Sequence, residues 1–102
     1  MKYYISATPG PMPPAPELFD AAMDWLDGKV SDGTFDCIFS FMEGGGFCIA
    51  NAESHRGAFD LMTEYPLFGM VEWDVRPVLE FKDGIETVRA KLVEAQAALA
   101  GH

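Results

Sequence analysis

The sequence predicts an α+β domain in which helices cover one face of a four-stranded antiparallel sheet. The chain has 102 residues, enough for one domain with a single core. Hydrophobic residues make up 49% and aromatic residues 13%, which is ample to build that core. Strand-like and helix-like periodicities follow one another in the order β-α-β-β-α-β, with one more helix at the end. This order is the ferredoxin-like arrangement of two split βαβ units.

The first strand and the first helix are separated by a proline-rich segment. Residues 3–7 are aromatic and apolar and predict the strand. Five of the seven prolines lie in residues 9–16. Proline breaks the interior of a helix and cannot donate a hydrogen bond to a neighbouring strand, so this segment is predicted to be an extended loop. We interpret this segment as a stiff connector rather than a polyproline ligand for a partner. Apolar residues at three- and four-residue intervals then predict a helix over residues 17–29, with Pro16 near its first turn.

The second and third strands are predicted to form a hairpin. Residues 34–42 and 46–52 are rich in strand-forming residues and are joined by a glycine-rich turn. Alternation along the earlier strand predicts that four side chains share one face: Phe35, Cys37, Phe39 and Phe41.

The predicted register of this hairpin separates the two cysteines. A turn centred on residues 44–45 would place Cys37 opposite Ala52 and Cys48 opposite Phe41. The sulfurs would then be too far apart to bridge, so we expect two free thiols in a reducing compartment.

The second half contains a helix, the last strand and a final helix. Ser54 is a plausible N-cap for a helix over residues 55–65, which Pro66 ends. The buried side of this helix is predicted to be Ala58, Phe59, Met62 and Tyr65. The last strand spans residues 70–81, with a polar face formed by Glu72, Asp74 and Arg76. Pro77 places it at an edge of the sheet, and Leu67 and Phe68 before it are expected to fold back onto the domain.

The final helix is predicted over residues 83–100, and it continues beyond the ferredoxin-like unit. Asp83 and Glu86 resemble a capping box at its start. A narrow apolar seam along it needs a partner surface: Ile85, Val88, Leu92, Ala95 and Leu99. We therefore divide the chain into a βαββαβ domain, residues 1–82, and a C-terminal helix at a dimer interface, residues 83–102.

The uncovered face of the sheet predicts a homodimer. Aromatic side chains on a bare sheet face would promote aggregation, and pairing two sheets face to face covers them. The expected result is a homodimer with a barrel-like centre, with further assembly of dimers left open.

The net charge of −9, from 16 acidic and 7 basic residues, excludes several partners. Such a chain repels phosphate backbones and anionic membrane surfaces, so we expect neither nucleic acid nor membrane as a partner. The N-terminus lacks the long apolar stretch of a secretory signal, which predicts a cytoplasmic location.

Residues 61–75, LMTEYPLFGMVEWDV, resemble the segment from the second helix to the last strand in the muconolactone isomerase-like family. The spacing from residues 33–34 to residues 66–68 is also similar, and the resemblance covers about residues 2–81. It implies a dimeric α/β barrel and an enzyme that moves a proton around an unsaturated lactone acid.

The resemblance also implies where a site would lie. The family carries a carboxylate in the middle of the first helix, where an ungapped alignment gives alanine here and Asp24 stands nearby. The family's second strand carries basic and imidazole side chains, whereas residues 35–40 contain neither and include Asp36. The missing cations argue against an anionic substrate.

Three side chains are predicted to transfer protons: His55, Asp24 and Glu72. Histidine titrates near neutral pH, and a carboxylate beside an arginine or a second carboxylate can serve as acid or base. Five more are predicted to bind substrate: Tyr4, Trp25, Phe39, Asp74 and Arg76. Each prediction has a structural alternative. His55 would be a surface residue, the polar face of the last strand would lie at an interface or in solvent, and the aromatic residues would pack in the core.

No cofactor or metal is expected, because the glycine-rich stretch joins two strands and the cysteines and histidines lack zinc-ligand spacing. The sequence therefore favours a cofactor-free isomerase or related enzyme acting by proton transfer on a hydrophobic aromatic or lactone-like molecule. A non-catalytic dimeric module that binds a ligand or partner, and a cofactor-free monooxygenase, remain alternatives.

Overall fold

The computed structural model describes residues 1–101, so His102 at the end of the predicted C-terminal unit lies outside the described residues. The elements in chain order are β1 (Lys2–Pro9), α1 (Pro16–Ser31), β2 (Phe35–Ser40), β3 (Gly46–Asn51), α2 (His55–Glu64), β4 (Val71–Val78) and α3 (Phe81–Ala100). The four strands form one antiparallel sheet in the order β2-β3-β1-β4. The predicted α+β, ferredoxin-like fold is confirmed.

The core lies between one face of the sheet and the helices α1 and α2. Alternate residues of the two central strands supply its floor: Tyr3, Ile5, Cys48 and Ala50. From α2 come Ala58, Leu61 and Met62. A second cluster around Ala22, Tyr65 and Leu67 extends the core toward β4, so Leu67 does fold back as predicted. The other face, which we call the open face, carries no helix within residues 1–101.

A β-bulge changes the faces of β2. Phe35 pairs with Ala50, but the next pair is Cys37 with Ile49, so Asp36 is the extra residue. The prediction that Phe35 shares a face with Cys37 is therefore wrong, because the bulge turns Phe35 alone toward the core. The Asp36 carboxylate accepts hydrogen bonds from Lys2 and from Asn51, and these bonds lower its pKa.

The hairpin register also differs from the prediction. Cys37 lies opposite Ile49 rather than Ala52, and Cys48 lies opposite Ile38 rather than Phe41. The turn lies closer to β2 than predicted, between Phe41 and Gly45, and this shifts both pairs; the bulge changes the register only at Phe35. The two thiols lie on opposite faces of the sheet, and both are free, as predicted.

Local signals set the ends of α1 and α2. Pro16 is the first residue of α1. The Ser54 hydroxyl accepts a hydrogen bond of 3.0 Å from the Gly57 N–H, which confirms the predicted N-cap of α2. Phe59 was expected to be buried but is 52% exposed, because it points away from the core side of α2.

The last strand is an edge strand. It ends at Val78, earlier than predicted, and Pro77 pairs with Tyr3 of β1. Proline is tolerated there because no further strand requires its missing N–H.

Helix α3 projects from the domain. It begins at Phe81 with Glu80 as N-cap and no side-chain cap, so the predicted capping box at Asp83 is wrong. The radius of gyration is 18.6 Å, whereas a compact chain of this length has about 13 Å. The seam is uncovered within residues 1–101: Ile85 is 50% exposed, Leu92 63% and Leu99 75%.

None of the helices in the described part of the chain is long and apolar enough to cross a bilayer.

Candidate functional site

A cavity of about 530 Å³ lies between the core side of the sheet and the helices. Side chains of α1 and α2 form one wall, and β1, β2, β3 and β4 form the opposite wall. The proline-rich segment, residues 9–14, and the glycine-rich hairpin, residues 44–46, border its rim. Its volume is typical of pockets that hold a small organic molecule.

The cavity is free of charged groups. No Asp, Glu, Lys, Arg or His lines it in the described chain, although 23% of all residues are charged. Its polar side chains are Thr8, Ser40, Cys48, Tyr65 and Trp73. An ion would lose its hydration in such a cavity without a counter-charge, so the lining favours a neutral ligand.

Aromatic rings hold one another in place along the inner wall. The Tyr65 ring lies 5.5 Å from the ring of Trp25 and 5.6 Å from that of Trp73, and the contact with Trp73 is T-shaped. Trp25 also meets Phe35 edge to face at 5.7 Å. The Trp73 indole donates a hydrogen bond of 3.0 Å to the Phe68 carbonyl, which fixes its orientation.

The Tyr65 hydroxyl makes no hydrogen bond within the described chain. Tyr65 is the C-cap residue of α2 and is only 9% exposed, and burial raises its pKa. Every side-chain oxygen among residues 1–101 that is sealed from solvent has a hydrogen-bond partner, so the Tyr65 hydroxyl keeps some contact with solvent. Tyr65 is also one of the residues that line the cavity.

Burial keeps the Cys48 thiol neutral. It faces the cavity from β3, and desolvation raises its pKa to about 12. A thiol with that pKa is a poor nucleophile near neutral pH.

Backbone packing closes the rim at the hairpin. Gly45 has φ +76°, and a Cβ there would overlap the Ala7 carbonyl oxygen of β1. Only glycine lets the hairpin approach β1 so closely. Beside this turn the Phe39 ring stacks on Phe47 at 5.6 Å, and the Phe41 ring meets Phe47 in a tilted contact at 5.7 Å.

A shallower depression of about 400 Å³ surrounds the start of α2. The Tyr3 hydroxyl and His55 Nδ1 lie 2.7 Å apart in it, with Phe59 and Pro77 also among its lining residues. Met62 is the residue that the linings of this depression and of the cavity share, and His55 lines the depression alone.

The single chain does not bring the three predicted catalytic residues together. His55 lines the depression, Asp24 is exposed on α1 and lines neither space, and Glu72 is exposed on the open face. Their roles in proton transfer stay predictions.

The predicted substrate-binding residues divide between two places. Trp25 lines the cavity from α1. Phe39 is also a lining residue, but its ring stacks on Phe47, at the edge of the open face. Tyr4 stacks on Phe47 at 5.4 Å on the open face. Asp74 and Arg76 form an ion pair of 3.0 Å on that same face, and hydrogen bonding to Asp74 raises the pKa of Arg76.

Sequence reasoning placed Tyr65 only on the buried side of a helix. The signal that could have identified it is the following Pro66, which ends α2 and leaves Tyr65 at the boundary between helix and loop.

Within the described residues, no group of three His, Cys, Asp or Glu is placed to hold a metal ion.

No protein-family model matches the chain, and no curated protein matches it. Two solved structures share its architecture. Muconolactone isomerase superposes with a TM-score of 0.69 at 17% identity, covering 78% of this chain and 90% of that one. The 5-chloro-2-hydroxyhydroquinone dehydrochlorinase of Burkholderia phenoliruptrix AC1100, in complex with 2,5-dihydroxybenzoquinone, gives 0.64 at 16%, covering 81% and 98%. The chain therefore has the fold of the muconolactone isomerase-like proteins, as its sequence resemblance predicted.

Proposed function

We propose that the chain is a small-molecule enzyme, a cofactor-free isomerase or a related enzyme, that acts by proton transfer on a hydrophobic aromatic or lactone-like molecule. The observation that carries this proposal is the cavity, which is large enough for such a ring and lined by aromatic side chains without any charge. Two solved structures with this fold are named as an isomerase and a dehydrochlorinase, which supports a small-molecule substrate.

The general base in this proposal is a residue near the cavity, because no residue of the cavity lining in the described chain can act as the base. Burial raises the pKa of both Cys48 and Tyr65, so neither is an effective base near pH 7. Among the three predicted catalytic residues, His55 is the best placed to act on a ligand in the cavity. It lines the depression, and Met62 lines both the depression and the cavity. Methionine side chains adapt their shape readily, so a shift of Met62 would join the two spaces.

An unsaturated lactone in deuterium oxide tests the reaction. α-Angelica lactone is neutral, and its conjugated isomer forms when a proton leaves C3 and one is delivered to C5. Proton NMR would show conversion together with deuterium at the new C–H position. We expect His55→Gln to lower the rate by about 100-fold or more, as loss of a general base does.

Matched variants identify the base. Arg56→Gln changes an exposed residue next to His55 that lines neither space, and it should leave the rate unchanged. Asp24→Asn and Glu72→Gln test the other two predicted bases. Exchange no faster than in buffer, with a panel of unsaturated lactones, would contradict the proposed reaction.

A non-catalytic binding protein is the second candidate. The charge-free lining favours it, because binding a neutral ring requires no titrating group. A lactone that binds to the cavity without any deuterium exchange would support this candidate over the enzyme.

We also propose that the chain works as a homodimer. The uncovered seam of α3 and the aromatic residues on the open face are the surfaces that a second copy would cover. Light scattering tests this proposal, and a monomer at micromolar concentration would contradict it.

A further inference from the structure

We infer that the ligand is uncharged at neutral pH and accepts a hydrogen bond from the Tyr65 hydroxyl through a carbonyl or hydroxyl oxygen. This inference rests on the proposed use of the cavity. It adds the charge of the ligand and the residue that orients it.

The charge of the ligand follows from the lining. The cavity offers neither a cation for a carboxylate nor an anion for an ammonium group in the described chain. A charged ligand would lose hydration on entry and gain no ion pair, so a neutral ring is selected.

Tyr65 is held rigidly enough to orient that ring. Its backbone is fixed at the end of α2, where its N–H donates to the Met62 carbonyl at 3.1 Å. Its ring is clamped between the indoles of Trp25 and Trp73. The hydroxyl therefore points in one direction, and a ligand oxygen placed there loses little entropy on binding.

The other polar groups are weaker candidates for this contact. The Trp73 indole N–H already donates to the Phe68 carbonyl. The Thr8 hydroxyl is 3.5 Å from the Glu72 carbonyl oxygen, to which it donates. Cys48 is a weak donor, and Ser40 is exposed. Tyr65 is thus the strong, buried donor that remains for a ligand.

Three bicyclic probes of similar shape separate the effect of the hydrogen-bond acceptor from the effect of ligand charge. Phthalide is a neutral aromatic lactone with a carbonyl acceptor, indane lacks the acceptor, and phthalide-3-carboxylate adds a negative charge. Calorimetry gives each affinity. The chain has two tryptophans and both line the cavity, so their fluorescence reports whether a probe binds there.

In the unaltered chain we expect phthalide to bind at least tenfold more tightly than its carboxylate. Tyr65→Phe should weaken phthalide about threefold to tenfold, the value of one hydrogen bond, and leave indane within about twofold. The matched control is Tyr3→Phe, which removes a buried tyrosine hydroxyl outside the cavity and should leave both affinities unchanged. The carbonyl stretch of phthalide bound to the unaltered chain should also shift below its value in cyclohexane.

The outcomes distinguish the two proposals. If phthalide and indane bind but Tyr65→Phe weakens both equally or neither, the role of Tyr65 is wrong while the cavity stands. The same holds if the carbonyl stretch of bound phthalide stays at its cyclohexane value, a readout that needs no variant. Tighter binding of the carboxylate overturns the inference of a neutral ligand. If no probe binds or alters tryptophan fluorescence, both this inference and the proposed use of the cavity are wrong.

Discussion

Leu92→Asp tests whether the seam of α3 holds two copies together. Leu92 is 63% exposed and lies on the seam with Ile85, Val88 and Leu99. Complete burial of a leucine contributes about 1.5–3 kcal/mol, so covering the exposed part contributes about 1–2 kcal/mol. In a twofold interface the residue counts twice, which gives about 2–4 kcal/mol. The dissociation constant should rise by at least about 30-fold.

Sedimentation velocity across a concentration series measures that constant. The matched control is Val93→Asp, because Val93 is 58% exposed but lies about 100° around the helix, off the seam. It should dimerise nearly as well as the unaltered chain. The reasoning is refuted if Leu92→Asp changes the dissociation constant by less than about threefold, or if both variants weaken the dimer equally.

Three further predictions concern the stability and reactivity of the single chain. Ser54→Ala removes the N-cap of α2 and should lower the free energy of unfolding in urea by about 1 kcal/mol; an unchanged value would contradict the cap. Gly45→Ala should lower it by more than about 1 kcal/mol, because φ is +76° and the new Cβ meets the Ala7 carbonyl. Its control, Gly28→Ala, lies in α1 with open space around it and should not destabilise the chain. Burial raises the pKa of Cys48 to about 12, so iodoacetamide at pH 8 should label it, by peptide mass spectrometry, only after unfolding. Rapid labelling of the folded chain would contradict the raised pKa. Because the pKa of Cys48 is higher in the folded chain, its contribution to the free energy of unfolding is complete below about pH 9 and declines as the pH rises toward 12.

The order of the elements could be predicted because the signals for it are local. Proline at position 16, the Ser54 cap and Pro66 each act within a few residues of the helix end that they define. Alternation in β4 likewise appears in the sequence itself, where Trp73 and Val75 separate acidic and basic neighbours. These interactions need no knowledge of distant parts of the chain.

The bulge in β2 could not be predicted, because contacts with distant parts of the chain support it. The bulge leaves Asp36 beside Asn51 and Lys2, residues that are 15 and 34 positions away in the chain. The sequence alone therefore predicts uniform alternation along β2, and this prediction is wrong for the face on which Phe35 lies. A similar limit applied to α2, where the spacing assigned Phe59 to the core although only α2's other face meets the sheet.

The candidate site was only partly predictable for the same reason. Its lining comes from every strand, two helices and three connecting segments, so its lack of charge appears only when these parts of the chain are brought together. Trp25 and Phe39 were identified from aromatic content alone. Tyr65 acquires its significance from the two indoles that hold it, and neither contact is visible in the spacing of the sequence.

The two outer strands of the sheet make lateral growth unfavourable. The strand order places β2 and β4 at the edges, the former with the bulge at Asp36 and the latter with Pro77. A bulge twists the backbone away from a flat template, and proline offers no N–H to an incoming strand. We therefore expect this chain to resist fibril formation by strand addition, even at high concentration. The proposed homodimer would instead form through a sheet face and a helix, and a twofold contact of that kind closes on itself rather than growing into an open-ended polymer.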